Sequence, residues 1–211
     1  MTDGNLLHPD VKFLLILSLF VVALVTFFFA HSKRDWAFLA AAMGFTVGAD
    51  YFLVIEFDYT WGVAVFCFVH AAYLLRTKGR RGWVYIGVAL AAAGVLFFGA
   101  TRVVQPRWLL LFASMYASLF AANVSACFLG KSELPKTNRR IMQAGLVLFV
   151  LCDINVLLVN LPHFLYLPGF TLGSYAWIWI FYLPAQGLLA VSGIRYPSRS
   201  GAEMRKKAAQ A

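Results

Sequence analysis

Long apolar segments separated by short polar connections dominate the hydrophobic pattern of this chain. Seven segments are long enough, or nearly so, to cross a bilayer as helices, because spanning the hydrocarbon core takes about 20 residues. They are Phe13–Ala30, Trp36–Ile55, Tyr59–Leu75, Trp83–Thr101, Trp108–Gly130, Ile141–Leu161 and Leu172–Ile194. The pattern predicts an all-α fold: a polytopic membrane helix bundle of about seven transmembrane helices. The third segment is the shortest, so we expect it either to be less tilted or to be extended by a snorkelling Arg76.

The composition supports the membrane class, since 62% of the residues are hydrophobic and only 13% are charged. Because the connections are short, we expect residues 1–195 to form a single transmembrane domain. The basic residues 196–211 are expected to form a disordered tail. The first segment lacks the small-residue cleavage pattern of a signal peptide, so we expect it to be a retained helix. The predicted location is an integral, multi-pass position in a membrane that the sequence does not identify.

The net charge of +9 would suit a nucleic-acid partner, but the positions of the charges give a different explanation. Fifteen of the 18 Lys and Arg residues fall in the connections 31–35, 76–82 and 131–140 and in the C-terminal segment 194–211. These regions all lie on one side of a seven-helix bundle. The positive-inside rule then places the N-terminus outside and the C-terminus inside. The expected partners are membrane lipids, and no nucleic acid is expected.

Two carboxylates, Asp50 and Asp153, lie inside long apolar segments, about two-thirds of the way along each. An ionisable group in hydrocarbon costs roughly 3 kcal/mol or more, so such groups usually face the bundle interior or a wet cavity. A carboxyl in these surroundings should resist ionisation, and a protonated acid beside a carboxylate is the arrangement that acid catalysis needs. The alternative is structural: each Asp would be a hydrogen-bond partner that fixes helix packing. Matching depth favours a shared functional site.

Other polar side chains in the apolar segments are candidates for orienting a substrate, although hydrogen bonding between helices would explain any one of them. His70 and Tyr73 share a face of the third segment. The candidates on other segments are Tyr116, Asn123, Tyr182 and Gln186.

Several kinds of chemistry lack their sequence signals. Cys67, Cys127 and Cys152 have no metal-ligand or disulfide spacing, and no two His residues in the apolar segments have the spacing of a zinc site. The last segment has no Lys for a retinal Schiff base. Neither a Gly-x-Ser-x-Gly elbow nor a Gly-rich phosphate loop is present. We therefore expect no metal and no cofactor.

Short motifs between Gly44 and Gly193 resemble, as an ordered set, the signature of YhhN-like membrane proteins, the lysoplasmalogenase family. The motifs are Gly48-Ala49-Asp50 followed by Trp61-Gly62, Phe66, His70 and Tyr73, the segment from Gly145 to Asp153, and Tyr182-Leu183-Pro184-Ala185-Gln186. The chain differs from the family pattern at Cys152, where Ser is common. It also differs in helix count, since members are usually described with eight helices, and eight is the alternative here.

The resemblance implies hydrolysis of the vinyl ether bond of lysoplasmalogens, which releases a fatty aldehyde and a glycerophospho-base. The implied catalytic residues are Asp50 and Asp153, the substrate is a lysophospholipid, and no cofactor is required. Two other classes remain open. In a proton-coupled transporter or lipid-binding protein the same aspartates would form a relay. In a scaffold without catalytic activity both aspartates would tolerate replacement by Asn.

Overall fold

A computed structural model describes residues 8–101, 107–164 and 174–196, and every regular element in these ranges is helical. The prediction of an all-α fold is confirmed. Short 3₁₀ turns, Thr26–Phe29 and Gly79–Arg81, follow the first and third α-helices, and a π-helical turn, Tyr51–Ile55, follows the second. The α-helices in the described ranges are α1 (Pro9–Val25), α2 (Lys33–Asp50), α3 (Tyr59–Lys78), α4 (Gly82–Ala100), α5 (Arg107–Phe128), α6 (Lys136–Phe164) and α7 (Tyr175–Val191).

The helices have the lengths and surfaces of a multi-pass membrane protein. Five helical stretches in the described residues are long and apolar enough to cross a membrane, and one of them, Tyr59–Ala100, contains both α3 and α4. The helix α7 is apolar but shorter. Large apolar side chains face outwards, with exposed fractions of 79% for Phe28 and 76% for Phe98. The count of seven crossings and the orientation of the termini stay predictions.

Local signals explain where several helices begin and end. The carboxylate of Asp58 accepts hydrogen bonds from the backbone N–H groups of Thr60 and Trp61 at 3.0 and 3.1 Å, which caps the start of α3. The helix ends at Gly79, whose φ of 59° favours glycine. A side chain there would also collide with Glu133. On α7, the Ser174 hydroxyl caps the backbone N–H of Ala176 at 3.3 Å.

Two boundary predictions are wrong. The third helix reaches Lys78, so it needs no extra length from Arg76, and that side chain turns inward because it pairs with Asp35. The sixth apolar segment ends at Leu161, but α6 continues to Phe164, so the connection that follows it starts later than the sequence indicates. The rest of that connection, residues 165–173, lies outside the described residues. So does the predicted basic tail, apart from Tyr196.

The helix α3 is the centre of the bundle and packs against α2, α4 and α5. A second tight pair, α6 and α7, is joined to the rest through α1 and α5. At Gly145 on α6 an added Cβ would come within 3.2 Å of the Ala185 carbonyl oxygen, so glycine lets the two backbones approach closely. The core contains fully buried Leu39, Tyr73 and Met142, among others.

The bundle has two ends with different chemistry. At the basic end, the start of α2, the end of α3 and the connection between α5 and α6 meet. Here Arg34 pairs with Glu133 at 3.2 Å, and the Glu133 backbone N–H donates to the Thr77 carbonyl at 3.0 Å. At the opposite end, here called the aspartate end, the start of α1 lies beside the start of α7, with Lys12 Nζ 4.9 Å from the Trp179 ring. Asp50 and Asp153 lie towards this second end.

Candidate active site

Asp50 is the last residue of α2 and is 3% exposed. Its Oδ2 accepts a hydrogen bond of 2.6 Å from the Tyr182 hydroxyl of α7. The π-helical turn follows directly, and within it the Glu56 N–H donates to the Tyr51 carbonyl, five residues earlier. Turns of this kind occur frequently at functional sites. Asp50 is thus a buried carboxyl whose described side-chain partner comes from a different helix.

Asp153 repeats this arrangement with a different pair of helices. It is half-buried on α6, and its Oδ2 accepts a hydrogen bond of 2.5 Å from the Tyr116 hydroxyl of α5. Each aspartate is therefore held by one tyrosine from another helix. Within the described residues neither aspartate forms an ion pair with a Lys, Arg or His.

A cluster of aromatic rings connects the two aspartate–tyrosine pairs. The Phe149 ring, one turn before Asp153, lies 5.6 Å from the Tyr182 ring, measured between centroids. On its other sides the same ring contacts those of Phe66, His70 and Phe120. The His70 ring lies 5.1 Å from the Tyr116 ring. Aromatic contacts therefore run from Tyr182, which binds Asp50, to Tyr116, which binds Asp153.

His70 and Asn123 form a buried polar pair inside this cluster. Both are 0% exposed, and Asn123 Nδ2 lies 3.3 Å from His70 Nδ1. If the amide donates there, the imidazole carries its proton on Nε2. Both His70 Nε2 and Asn123 Oδ1 are buried and have no hydrogen-bond partner among the described residues. The pair thus keeps one donor and one acceptor for a polar ligand.

Gln186 lies one turn after Tyr182 on α7 and is 0% exposed. Neither its Oε1 nor its Nε2 has a hydrogen-bond partner among the described residues. Buried polar atoms in native proteins are nearly always hydrogen-bonded, and exceptions usually have a functional or ligand-related cause. Together with His70 and Asn123, Gln186 gives the interior near the aspartates a set of polar groups that can bind a substrate or water.

The structure does not bring every predicted residue into this network. Tyr73 is fully buried, but its hydroxyl faces the Met43 sulfur at 3.6 Å, one turn from His70 towards the basic end. Sequence reasoning also missed Phe149 as the central ring, although its position four residues before Asp153 was a usable signal. Within the described residues, no group of three His, Cys, Asp or Glu side chains could hold a metal ion.

These features define a class of protein: a multi-pass helical membrane protein with two tyrosine-bound carboxyl groups inside its bundle. The YhhN family model matches residues 7–193, and the chain belongs to the YhhN family, as its sequence motifs predicted. No match was found among curated proteins or among solved structures.

Proposed function

We propose that this protein hydrolyses the vinyl ether bond of lysoplasmalogens, with Asp50 and Asp153 as the catalytic carboxyls. The observation that carries the proposal is the pair of aspartates, each bound by one tyrosine from another helix at 2.6 or 2.5 Å and neither neutralised by a described cation. Membership of the YhhN family, which is associated with hydrolase activity, supports the same conclusion.

The first step is a proton transfer to carbon. One aspartic acid protonates the β-carbon of the vinyl ether, the C=C π electrons form the new C–H bond, and the α-carbon becomes part of an oxocarbenium ion. General acid catalysis requires that this carboxyl carry its proton near neutral pH. The other aspartate, as a carboxylate, stabilises the positive charge. Glycoside hydrolases use one acid and one carboxylate for a related oxocarbenium ion.

The second step adds water and breaks the ether bond. Water attacks the oxocarbenium carbon and gives up a proton to a carboxylate, which forms a hemiacetal. Proton return to the ether oxygen cleaves the C–O bond, while the hemiacetal hydroxyl gives its proton to a carboxylate as the C=O bond forms. One acid and one carboxylate are restored, and one water is consumed for each aldehyde and glycerophospho-base released. Tyr116 and Tyr182 hold the carboxyls in place, while His70, Asn123 and Gln186 orient the substrate head or the water.

The direct test measures aldehyde release by the purified full-length protein in detergent. We expect Asp50→Asn and Asp153→Asn each to lower the rate roughly 100- to 10,000-fold, the usual cost of losing a general acid or base. His70→Gln should leave measurable activity. If both Asn variants elute like the wild type and stay within a few-fold of its rate, the aspartates are structural and the mechanism fails.

A solvent isotope experiment tests the first step separately. In D₂O, protonation at carbon puts one deuterium on the carbon next to the aldehyde carbonyl, which rapid reduction to the alcohol preserves for mass spectrometry. An unlabelled product would exclude proton transfer to carbon.

The alternative, a proton relay in a transporter, makes a different prediction in the same detergent solution. Transport needs two compartments and hydrolysis needs none. Aldehyde release without a vesicle therefore supports the enzyme, whereas aspartate-dependent lipid or proton movement in vesicles without aldehyde release supports the relay.

A further inference from the structure

A basic groove lies at the basic end of the bundle, with a volume of about 550 Å³. Cationic side chains from three regions line it, together with one carboxylate, Glu133. The cationic residues are Arg34, Lys78, Arg80, Arg81 and Lys131. This excess of positive charge favours an anionic ligand.

The cations of the basic groove divide into two groups. Lys78 donates to the carbonyls of Leu129 and Lys131 at 2.8 and 2.9 Å, and Arg34 pairs with Glu133, so these two side chains stabilise the wall. By contrast, Arg80, Arg81 and the Lys131 side chain are exposed and form no ion pair with any described residue. Three cationic groups are therefore free to bind an anion.

An apolar groove of about 910 Å³ runs between α4 and α5 and shares a lining residue with the basic groove. Tyr85 lines both grooves, and its ring lies 5.4 Å from Lys78 Nζ. On α4 the apolar groove extends from Val84 to Leu96, about 18 Å at 1.5 Å per residue. The hydrocarbon of one membrane leaflet is roughly 15 Å thick. The groove therefore has the length of a lipid chain.

No described part of the protein covers this side of α4. Val84, Val88 and Val95, which line the groove on α4, are 66%, 65% and 75% exposed. The groove is open because its floor has small side chains, such as Ala89, and Ala121 on α5. In a bilayer such a surface contacts lipid.

We propose that the two grooves together bind one anionic phospholipid, with its phosphate against Arg80, Arg81 and Lys131 and one acyl chain between α4 and α5. A soluble anion would need only the basic groove, and a neutral lipid would need only the apolar one. The combination selects a ligand with a negative head and a long chain. Ser125, one turn before the end of α5, also lines the apolar groove.

This lipid site is separate from the aspartate site. Arg34 precedes Asp50 on α2 by 16 residues, about 24 Å along the helix axis. Neither aspartate lines either groove. A phospholipid bound here is not a substrate positioned for the proposed hydrolysis, and its binding can be measured whether or not the protein is that hydrolase.

Binding to the full-length protein in detergent can be titrated by native mass spectrometry. The probes are dioleoylphosphatidylglycerol, dioleoylphosphatidylcholine with the same chains, and inorganic phosphate. We expect only phosphatidylglycerol to bind tightly. Equal binding of the two lipids would overturn the proposal, and so would competition by inorganic phosphate at millimolar concentration that removes the bound lipid.

The head-group contact is tested by the triple variant Arg80→Gln, Arg81→Gln, Lys131→Gln. Its matched control is Lys33→Gln, Lys136→Gln, Arg140→Gln, which removes three exposed charges from the same end outside the groove. We expect roughly 100-fold weaker binding of phosphatidylglycerol in the first variant and little change in the control. Equal losses in the two variants would mean non-specific attraction and contradict the site.

The chain contact is tested by Ala121→Phe, which fills the apolar groove from α5. Ala91→Phe is the control, because Ala91 is exposed on α4 outside the groove. We expect Ala121→Phe to weaken phosphatidylglycerol binding roughly tenfold or more and the control to leave it unchanged. If Ala121→Phe binds like the wild type, the chain does not lie between α4 and α5 and the proposal is wrong. All substituted side chains are exposed, so folding should survive, and elution volume checks it.

Discussion

Carboxylates lie inside the bundle at both of its ends, and their partners differ. At the basic end, Asp35 receives two hydrogen bonds from Arg76, at 2.7 and 3.0 Å, and Arg76 also donates to Ser192 at 2.6 Å. At the aspartate end, Asp50 and Asp153 each receive one described side-chain hydrogen bond, from a neutral tyrosine. The partners of a buried ion pair offset the cost of burying its charges, and removing one partner is costly. A buried carboxyl without a charged partner is a candidate for a functional role.

The buried amides show the same contrast. At the basic end, Asn138 donates to the carbonyls of Ser192 and Ile194 at 2.7 and 2.8 Å, which joins α6 to the end of α7. Near the aspartates, Gln186 has no described partner. The buried polar groups at the basic end thus have structural partners, whereas those near the aspartates belong to the proposed catalytic site. Each of the following predictions tests this difference.

The largest expected effect is the difference between replacing an aspartate at the aspartate end and replacing one at the basic end. Asp50→Asn should lower aldehyde release by roughly 100- to 10,000-fold with little change in unfolding midpoint. Asp35→Asn should instead lower the unfolding midpoint, while the activity per folded protein stays within a few-fold of wild type. Activity and circular dichroism on the same detergent preparations measure both. An Asp35→Asn protein as inactive as Asp50→Asn would erase the distinction between the ends.

Breaking the Asp35–Arg76 pair should give the largest stability effect. Arg76→Met leaves the Asp35 carboxylate buried without its bidentate partner, which typically costs about 3–5 kcal/mol. The double variant Arg76→Met, Asp35→Leu should recover most of that loss, because it removes both charges. Unfolding of the three proteins by denaturant in detergent gives the comparison. A single variant as stable as wild type would show that the pair contributes little.

Removing a tyrosine hydroxyl should have a smaller effect on catalysis. Tyr116→Phe and Tyr182→Phe each delete one hydrogen bond to a carboxyl, and bonds to charged groups are worth about 1.5–3 kcal/mol, so we expect roughly 10- to 100-fold slower aldehyde release. Tyr196→Phe is the control, since its hydroxyl donates to the Val191 carbonyl at 3.1 Å, away from the aspartates. Equal rates in all three variants would argue against a role of the tyrosines in the site.

The smallest change in the free energy of unfolding is expected when the two buried amides, Gln186 and Asn138, are replaced. Gln186→Met loses no described hydrogen bond, so the free energy of unfolding should stay the same or rise by about 1 kcal/mol, while substrate binding weakens. Asn138→Leu leaves two carbonyls without their donor and should lower stability by about 2 kcal/mol. If Gln186→Met is the more destabilising substitution, Gln186 is a packing residue rather than a substrate contact.

The apolar segments could be located from sequence because helix length and hydrophobicity are local properties. The seven predicted segments correspond to α1 to α7, with shifts of a few residues at the ends. The inward direction of the Arg76 side chain could not be found in the same way. The third helix continues past Leu75, and Arg76 pairs with Asp35 on α2, 41 positions away. No local pattern could show that pairing.

The sequence by itself determined that the chain is an all-helical membrane protein, that Asp50 and Asp153 are unusual, and that its motifs are those of the YhhN family. Only the tertiary structure decided their partners: Tyr182 for Asp50, 132 positions apart, and Tyr116 for Asp153, 37 positions apart. It also decided that Asp35 and Arg76 neutralise each other, and that the basic and apolar grooves meet at Tyr85. Apolar segments can be recognised in a sequence because the hydrophobic pattern is local. Hydrogen bonds between helices depend on which helix faces meet, and only the tertiary packing determines which faces those are.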